Sequence, residues 1–424
     1  MNSRLEKKTI NELQVGMFIV EMDISWIKSP FLLHRRAIKS KNDIALLKKF
    51  GVKIVTIDWD KSHIQTTQDD TESGTDKNGS PEHTAVHSES VSAQEFEPEF
   101  SPENLDKPVV LLNEELTRAS VLKEQAKEAF KQANELVKNN EPISAEEFEP
   151  VIDETISSLL RNSQALLTLM HLQRYENRLF SHSFSVMTLA LTFAIKEGVN
   201  KEDLKILGMA ALLHDIGWAQ LPLNLLGKAK KYTDNERKVV QQHQKIANII
   251  VGKSDSVPES VKTLMMLHHE RNDGSGYPDG LHEYQLNQLA KILILTDYYD
   301  ETLHGLLDRP GLIPSETLRL LYKEAVQKKF NKSYVGSLIK LLGIYPLTSA
   351  VELNSGEKGI VVEVNREKPL TPVVKIMYSR NGNALANPLI VDLEIDKKNR
   401  QIKGVVDYFD EKNDPQHLLV VKAI

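Results

Sequence analysis

The chain has 424 residues, a formal net charge of −6 and no cysteine. This length is too great for one ordinary core and predicts two or three domains. The mild negative charge argues against a general nucleic-acid-binding protein, and the absence of cysteine excludes disulfides and thiolate metal sites.

The N-terminal residues lead into no apolar signal core, and the chain has no run of 18 or more apolar residues. We therefore expect no membrane span and a cytoplasmic location.

Residues 1–60 predict a small β-containing module, because 16–20 and 52–57 are short β-branched runs. Residues 38–50 have apolar side chains at helical spacing, and Gly51 is well placed to end that helix.

The next segment, residues 61–108, has eleven acidic and three basic residues and almost no apolar periodicity. It cannot bury enough apolar surface to offset its ordering entropy, so it predicts a disordered acidic linker.

Residues 109–145 then predict an exposed amphipathic helix, with Leu116, Val121 and Phe130 among its apolar positions. We expect this helix to pair with another helix or with a second copy of the chain in a homodimer.

Helical signals dominate residues 146–345. Thr233-Asp234-Asn235-Glu236 fits a capping box that starts a helix through about residue 252. Pro258 suits the first turn of the next helix, and residues 285–307 and 315–342 predict the last helices.

The tail changes from helical to strand periodicity. Residues 359–364, 372–378 and 418–421 predict strands, and Asn381-Gly382 is a hairpin-turn signal. The predicted fold class is therefore mainly α: an all-helical domain at 146–345, the small α/β N-terminal module, the acidic linker and a small β appendage at 346–424.

Residues able to bind a metal recur in the helical region on, or at the end of, apolar helices. They are His182, His214, Asp215, His243, His268, His269 and Asp297. A lone His-His pair at 268–269 is most simply a helix end, but a whole buried cluster without a partner would be costly. Imidazoles with a few carboxylates suit Fe, Mn, Zn or Ni, and a carboxylate such as Asp215 can bridge two ions.

A tight turn follows the histidine pair directly. Gly274-Ser275-Gly276-Tyr277-Pro278 has the backbone freedom to approach a substrate closely. Tyr277 itself is either a packed turn residue or a contact to a substrate or partner.

These residues together carry a family resemblance. His214-Asp215, His243, His268-His269 and Asp297 resemble the HD superfamily of metal-dependent phosphohydrolases. The loop from His268-His269-Glu270 through Asp273-Gly274-Ser275-Gly276-Tyr277-Pro278 looks like the HD-GYP branch, and residues 9–60 resemble the small domain that often precedes HD-GYP domains in bacterial proteins. The resemblance implies a cytoplasmic signalling enzyme that opens cyclic di-GMP to the linear dinucleotide and then to GMP, with cyclic GMP-AMP as an alternative substrate.

The resemblance also implies roles for single residues. The seven residues named above would hold two divalent transition-metal ions, Fe or Mn, with Asp215 as the bridge and His214 and Asp215 as catalytic residues. Some members bind a third metal through a Glu one helical turn before the first His, but that position is Arg178 here. The catalytic Lys228 would meet a substrate phosphate, and the other substrate-binding residues would be Gly276, Tyr277 and Arg309.

Two departures from the family pattern keep a second function open. Trp218 stands where the family usually has Lys, and Arg309-Pro310 is followed by Gly311-Leu312, about three residues too far from Asp297. Both changes affect expected contacts to phosphate or guanine. The alternative is a degenerate HD-GYP protein that senses the nucleotide, or that docks a diguanylate cyclase through its Gly-Tyr-Pro loop.

Overall fold

The computed structural model describes residues 5–22, 36–38, 41–49, 51–59, 62, 105, 108–172, 178–226, 228 and 230–406. The chain divides into two compact units, residues 1–99 and 100–424. Almost all of the predicted acidic linker, and the predicted strand 418–421, lie outside the described residues.

The first unit is a four-stranded antiparallel sheet with one helix. Its elements are β1 Leu5–Thr9, β2 Phe18–Met22, β3 Arg36–Ala37, α1 Lys41–Lys49 and β4 Ile54–Asp58. The strand order is β1-β4-β2-β3. Ile19, Leu47 and Ile57 are fully buried in its core, as expected of apolar side chains that alternate along strands and recur along one helical face. The two predicted β-branched runs overlap β2 and β4, whereas β1 was not predicted.

The helical unit begins with four helices: α2 Leu112–Lys138, α3 Glu149–Leu172, α4 Arg178–Lys196 and α5 Lys201–Leu213. The apolar face of α2 is buried, so the expectation of an exposed helix is wrong. Leu116 and Phe130 are at most 2% exposed, and Glu115 on the same helix accepts hydrogen bonds from Arg161 of α3 at 2.8 and 2.9 Å. This helix therefore pairs with another helix of its own chain.

Six further helices complete this unit: α6 Asp234–Val240, α7 Gln242–Val251, α8 Glu259–Leu267, α9 Gln288–His304, α10 Pro314–Val326 and α11 Lys332–Leu342. The predicted capping box forms, with the Glu236 carboxylate accepting from the Thr233 backbone N–H at 2.8 Å. The single helix predicted from there is two helices, with Gln241 between them. Pro258 immediately precedes α8.

One described helix, α4, is long and apolar enough to cross a membrane by length and composition alone. In this fold 89% of that segment is buried inside the protein, which is the environment of a core helix. Its neighbours include α5 and α9, and all three contribute residues to the site below.

The C-terminal elements form a five-stranded antiparallel sheet: β5 Ala350–Leu353, β6 Lys358–Glu363, β7 Val373–Tyr378, β8 Ala384–Asp392 and β9 Ile402–Val405. The strand order is β8-β7-β6-β5-β9. Gly382, in the predicted hairpin between β7 and β8, has φ of 78°, a backbone conformation that favours glycine. Along the sequence, a small sheet precedes the helices and another follows them, and the fold class is mainly α, as predicted.

Candidate metal centre

The seven predicted ligands meet at one buried place. They come from five helices: His182 near the start of α4, His214 and Asp215 at the end of α5, His243 in α7, His268 and His269 at the end of α8, and Asp297 within α9. None of the seven is more than 4% exposed. The polar ends of apolar helices therefore converge on one centre, as their positions in the sequence suggested.

Asp215 lies between two groups of ligands and turns one oxygen to each. Its Oδ1 is 3.2 Å from Nε2 of His243 and 3.6 Å from Nε2 of His268. Its Oδ2 is 3.6 Å from Nε2 of His182 and also 3.6 Å from Nε2 of His214. We call His182, His214 and Asp297 the carboxylate half and His243, His268 and His269 the imidazole half.

The rings of His182, His214, His243 and His268 are held with Nε2 towards the centre, whereas His269 turns Nδ1 towards Asp297. In three of them Nδ1 lies at hydrogen-bond distance from the backbone carbonyl three residues earlier: His214 with Ala211 at 2.8 Å, His243 with Val240 at 2.6 Å and His268 with Met265 at 2.6 Å. In His182 the partner of Nδ1 is the Asp300 carboxylate, at 2.8 Å. This arrangement is typical of metal-binding histidines, because it fixes the tautomer and frees Nε2 for the ion.

The donor atoms fit a divalent transition-metal centre. Oδ1 of Asp215 and Oδ2 of Asp297 are buried and have no hydrogen-bond partner among the described residues. Ligand atoms of Asp215, His243, His268 and His269 lie within 4.8 Å of one another, and so do those of His182, His214 and Asp215. Buried carboxylate oxygens without partners are costly unless a cation satisfies them.

The two halves differ in protonation. In the carboxylate half, two histidines favour the protonated form. Burial opposes a charge on His182, but contacts with Asp297 and Asp300 outweigh it and raise the pKa of His182 well above its usual value. Burial also opposes a charge on His214, but the carboxylates of Asp215 and Asp297 outweigh it and raise the pKa of His214. The pKa of Asp297 is lowered well below its usual value despite burial, because His182 and His214 favour the carboxylate.

In the imidazole half, burial dominates. It lowers the pKa of His243 to about 4, against the attraction of Asp215. Burial and the neighbouring His268 lower the pKa of His269 well below the usual value. Asp215 itself has a strongly lowered pKa, since the surrounding histidines outweigh its burial.

Trp218 fills space behind the imidazole half. It is fully buried, and its ring stacks on His243 with centroids 5.7 Å apart and 20° between the planes. Gly217 makes this packing possible, because a Cβ there would lie 2.0 Å from the His243 carbonyl oxygen. Trp218, at the position where the family usually has lysine, thus supports the His243 ring and brings no positive charge.

Lys228 contacts none of the seven ligands among the described interactions. Its ammonium group pairs with both carboxylate oxygens of Glu236, at 2.6 and 2.7 Å, and lies 6.0 Å from the centroid of the Tyr232 ring. Its contact to a substrate phosphate stays a prediction, and Glu236 would have to give up the ammonium group, or share it, for that contact to form.

The Gly-Tyr-Pro turn is attached to the centre from outside. The Tyr277 ring lies against His269, with centroids 4.7 Å apart. A Cβ at Gly276 would lie 2.4 Å from backbone atoms of Glu270 and Arg271, so glycine is needed for this close approach. The sequence did not reveal the role of Glu270, whose buried carboxylate accepts hydrogen bonds from three backbone N–H groups, those of Asp279, Gly280 and Leu281.

Arg309 lies near the carboxylate half, where it approaches Tyr298 and Glu301 of α9. Its guanidinium carbon is 5.0 Å from the centroid of the Tyr298 ring, and Nη2 is 3.9 Å from a Glu301 oxygen. Burial and the charge of Asp297 raise the pKa of Glu301 to about 8. Neither Glu301 nor Asp300 was predicted to belong to the site. Their spacing of three and four residues after Asp297, on one helical face, was the available signal.

Comparison with known proteins places these features in a family. Residues 157–333 match the HD domain, residues 5–148 match the domain of unknown function DUF3391, and residues 350–413 match the KOW domain associated with HD domain. The DUF3391 match thus extends beyond the module predicted at 1–60.

Curated relatives resemble the chain over different lengths. A cyclic di-GMP phosphodiesterase of Pseudomonas aeruginosa is 29% identical over 92% of this chain and 89% of its own. A cyclic di-GMP phosphodiesterase response regulator of Xanthomonas campestris pv. campestris is 38% identical over 30% of this chain and 34% of its own. Among solved structures, an HDG"Y"P protein of Bdellovibrio bacteriovorus aligns with a TM-score of 0.47 and 16% identity, covering 80% of this chain and 99% of that one. Residues 157–333 are therefore an HD domain, and by its histidine and aspartate cluster and its Gly-Tyr-Pro loop the chain resembles the HD-GYP branch of the HD superfamily.

Proposed function

We propose that this protein is a metal-dependent phosphodiesterase that hydrolyses cyclic di-GMP, giving the linear dinucleotide, GMP or both. The observation that carries the proposal is the position of Asp215, with one carboxylate oxygen towards each group of histidines. A shared carboxylate at the middle of two ligand sets is the arrangement that a two-metal phosphodiesterase needs. The Pseudomonas aeruginosa relative, which aligns over 92% of this chain, is named for this reaction.

The proposed centre holds two divalent transition-metal ions, and Fe or Mn suits its mixture of imidazoles and carboxylates. Such ions lower the pKa of a coordinated water to near ~7 and neutralise charge on phosphoryl oxygens. His182, His214, Asp215 and Asp297 would hold one ion, and Asp215 with His243, His268 and His269 the other. No nucleophilic side chain is required, which agrees with a chain that has no cysteine.

The remaining residues would orient the substrate. Lys228 would neutralise a non-bridging phosphate oxygen, and Arg309, about one-third exposed at the side of α9, would contact a phosphate or a base. Gly276 and Tyr277 would form the wall beside His269. Because Trp218 packs on His243, the proposed enzyme would have to work without a lysine at that position.

Location and partners follow from the same proposal. Cyclic di-GMP is an intracellular messenger in the family that the chain resembles, so we place the enzyme in the cytoplasm. A diguanylate cyclase is a candidate partner for the Gly-Tyr-Pro loop, because Pro278 and Asp279 are exposed there and Tyr284 nearby is 85% exposed. The homodimer expected through residues 109–145 loses its support, because the apolar stripe of α2 is buried within the chain.

A turnover assay with Mn²⁺ or Fe²⁺ tests the function. The full chain, reconstituted with either ion, should convert cyclic di-GMP to the linear dinucleotide or GMP, and Asp215→Ala should not. Cyclic GMP-AMP, which differs in one base, forms the second arm, and faster turnover of it would reassign the substrate. Binding of cyclic di-GMP without hydrolysis by fully loaded protein would replace the enzyme with a nucleotide receptor.

A further inference from the structure

Two arginines lie against the ring of Tyr298, the residue that follows Asp297 on α9. The guanidinium carbon of Arg271 is 5.2 Å from the centroid of that ring, and the guanidinium carbon of Arg309 is 5.0 Å from it. Arg271 also lies 5.3 Å from the centroid of the Phe330 ring. Guanidinium groups are attracted to aromatic faces, so these rings hold both cations beside the centre.

Arg271 belongs to the loop that follows the histidine pair. Its Nη1 donates a hydrogen bond to the backbone carbonyl of Glu270 at 2.7 Å and lies 3.4 Å from the carbonyl oxygen of His268. Burial and His268 do most to lower the pKa of His269, and the positive charge of Arg271 adds to that effect. One nitrogen of Arg271 is therefore tied to the loop, and its charge reaches the imidazole half.

The charges of the two arginines are poorly balanced. Among the residues that the structure describes, no carboxylate lies within 4.0 Å of the Arg271 guanidinium. Nη2 of Arg309 is 3.9 Å from a Glu301 oxygen, which is beyond hydrogen-bond distance. Glu301 brings at most one negative charge to two guanidinium groups. Two cations held on one ring repel each other, and a bound anion would remove that repulsion.

Cyclic di-GMP carries two phosphodiester groups on one macrocycle, and a two-ion centre holds only the group that is cleaved. We infer that Arg271, next to Arg309 on the Tyr298 ring, binds the second phosphodiester, which is not cleaved. Nε and Nη2 of Arg271 donate to no described residue, and together they form a fork that matches two phosphate oxygens. A neutral base would not balance the two positive charges.

The inference rests on the proposed function and deepens it. A site for the second phosphodiester makes the enzyme select cyclic dinucleotides over compounds with a single phosphodiester. Arg271 would thus determine specificity, while the cleaved group is held by the ions.

The experiment compares a substrate with two phosphodiester groups and a probe with one. Wild-type full chain, Arg271→Met, Arg271→Lys and the control Arg380→Met are loaded with Mn²⁺ and assayed with cyclic di-GMP and with bis(p-nitrophenyl) phosphate. Methionine keeps an apolar side chain against Tyr298, and Arg380 is exposed in the hairpin between β7 and β8. Manganese per chain and circular dichroism are measured for each protein.

For Arg271→Met we expect KM for cyclic di-GMP to rise by ~10–100-fold with kcat little changed, because a charged binding contact is lost. The loss of kcat/KM for bis(p-nitrophenyl) phosphate should be at least ~10-fold smaller, because this probe has no second phosphodiester. Arg271→Lys keeps the charge without the fork, so it should show the same change at a smaller size. That variant decides the question if Arg271→Met folds poorly. Arg380→Met should match the wild type.

Equal losses for the two substrates, or a loss of manganese, would mean that Arg271 supports the centre or its loop. Unchanged kinetics with cyclic di-GMP would also overturn the second-phosphate site. Both results leave the proposed phosphodiesterase standing. If the loaded wild type does not cleave cyclic di-GMP, the proposed function fails, and calorimetric binding then decides the site: Arg271→Met should bind the nucleotide ~10–100-fold more weakly. A wild type that does not bind it overturns both.

Discussion

The two halves of the metal centre use the same kind of ligand and give it opposite protonation preferences. In the carboxylate half, Asp297 and Asp300 lie at hydrogen-bond distance from His182 and raise its pKa. In the imidazole half, the carboxylate beside His243 is the shared Asp215, and burial lowers the pKa of His243 to about 4. The difference comes from how many carboxylates face each ring, since burial opposes the charged form in both halves.

This difference has a consequence for metal binding. An ion must displace any proton on a ligand nitrogen, so a ring with a raised pKa binds metal at the cost of a proton. The imidazole half is ready to bind, because the pKa values of His243 and His269 are lowered and both rings are neutral at pH 7. We therefore expect it to take the first ion, and the carboxylate half to take the second with release of protons.

The largest effect is expected from the residue that joins the halves. Asp215→Ala removes a ligand from both ions, and no cysteine is present to substitute. We expect hydrolysis of cyclic di-GMP to fall by at least ~10³-fold, about 4 kcal/mol of transition-state stabilisation, together with metal occupancy. Circular dichroism should change little, because Leu212, Leu213 and Ile216 remain packed. A variant that binds both ions and keeps near wild-type turnover would falsify the bridging role.

A smaller effect is expected outside both halves. Lys228→Ala should lower kcat/KM by roughly ten- to a thousandfold, the scale for one charged contact to a phosphate, with both ions retained. Glu236→Gln is the matched control, because it frees the ammonium group from its partner while keeping the lysine. Unchanged kcat/KM in Lys228→Ala would mean that this lysine only holds Glu236, and a loss of metal would also contradict the assignment.

The carboxylate half alone should respond to Asp300→Asn. Asp300 touches no proposed ion but holds His182 through Nδ1, and the exchange removes its charge while keeping its size. Outer partners of this kind typically contribute ~10–100-fold to metal affinity, so one of the two ions should bind more weakly by about that factor. Metal titration followed by calorimetry will separate the two binding steps. Equal weakening of both steps would show that the halves are not independent.

The positions of these residues show what the sequence could and could not predict. The convergence of the seven candidate ligands was predictable, because histidines and aspartates at the ends of apolar helices must be paired or bound when buried, and their role as metal ligands stays a prediction. Glu270, Asp300 and Glu301 were not predicted to belong to the site. An acidic residue on a helix or in a turn is usually solvated, and only the packing of α4, α8 and α9 reveals that these three are buried.

The same limit applies to whole helices and strands: the sequence pattern predicts the element, and only packing shows its partner. Apolar periodicity predicted the helical domain and the terminal sheets, but it could not choose the partner of α2. The stripe on that helix fits a second chain as well as it fits α3, and the buried pair of Arg161 with Glu115 shows which one it packs against. The pairing of Lys228 with Glu236 was equally hidden, because Glu236 was explained by its capping role alone.

The smallest expected effect tests the comparison of the halves directly: proton release on metal loading. In the metal-free protein at pH 7, the raised pKa of His182 keeps that ring protonated, whereas His243, with a pKa of about 4, is neutral. Asp215 and Asp297 have lowered pKa values, are already ionised and contribute no proton. Loading with Mn²⁺ should therefore release about one proton or more per chain, nearly all with the second ion. Calorimetric titration in two buffers of different ionisation enthalpy measures this number.

Because protons compete with the ion, affinity for the second ion should also fall as the pH is lowered from 8 to 6. Asp300→Asn, which removes one cause of the raised pKa, should release fewer protons. Metal binding without proton release in the wild type would mean that His182 is neutral and that the two halves do not differ in protonation.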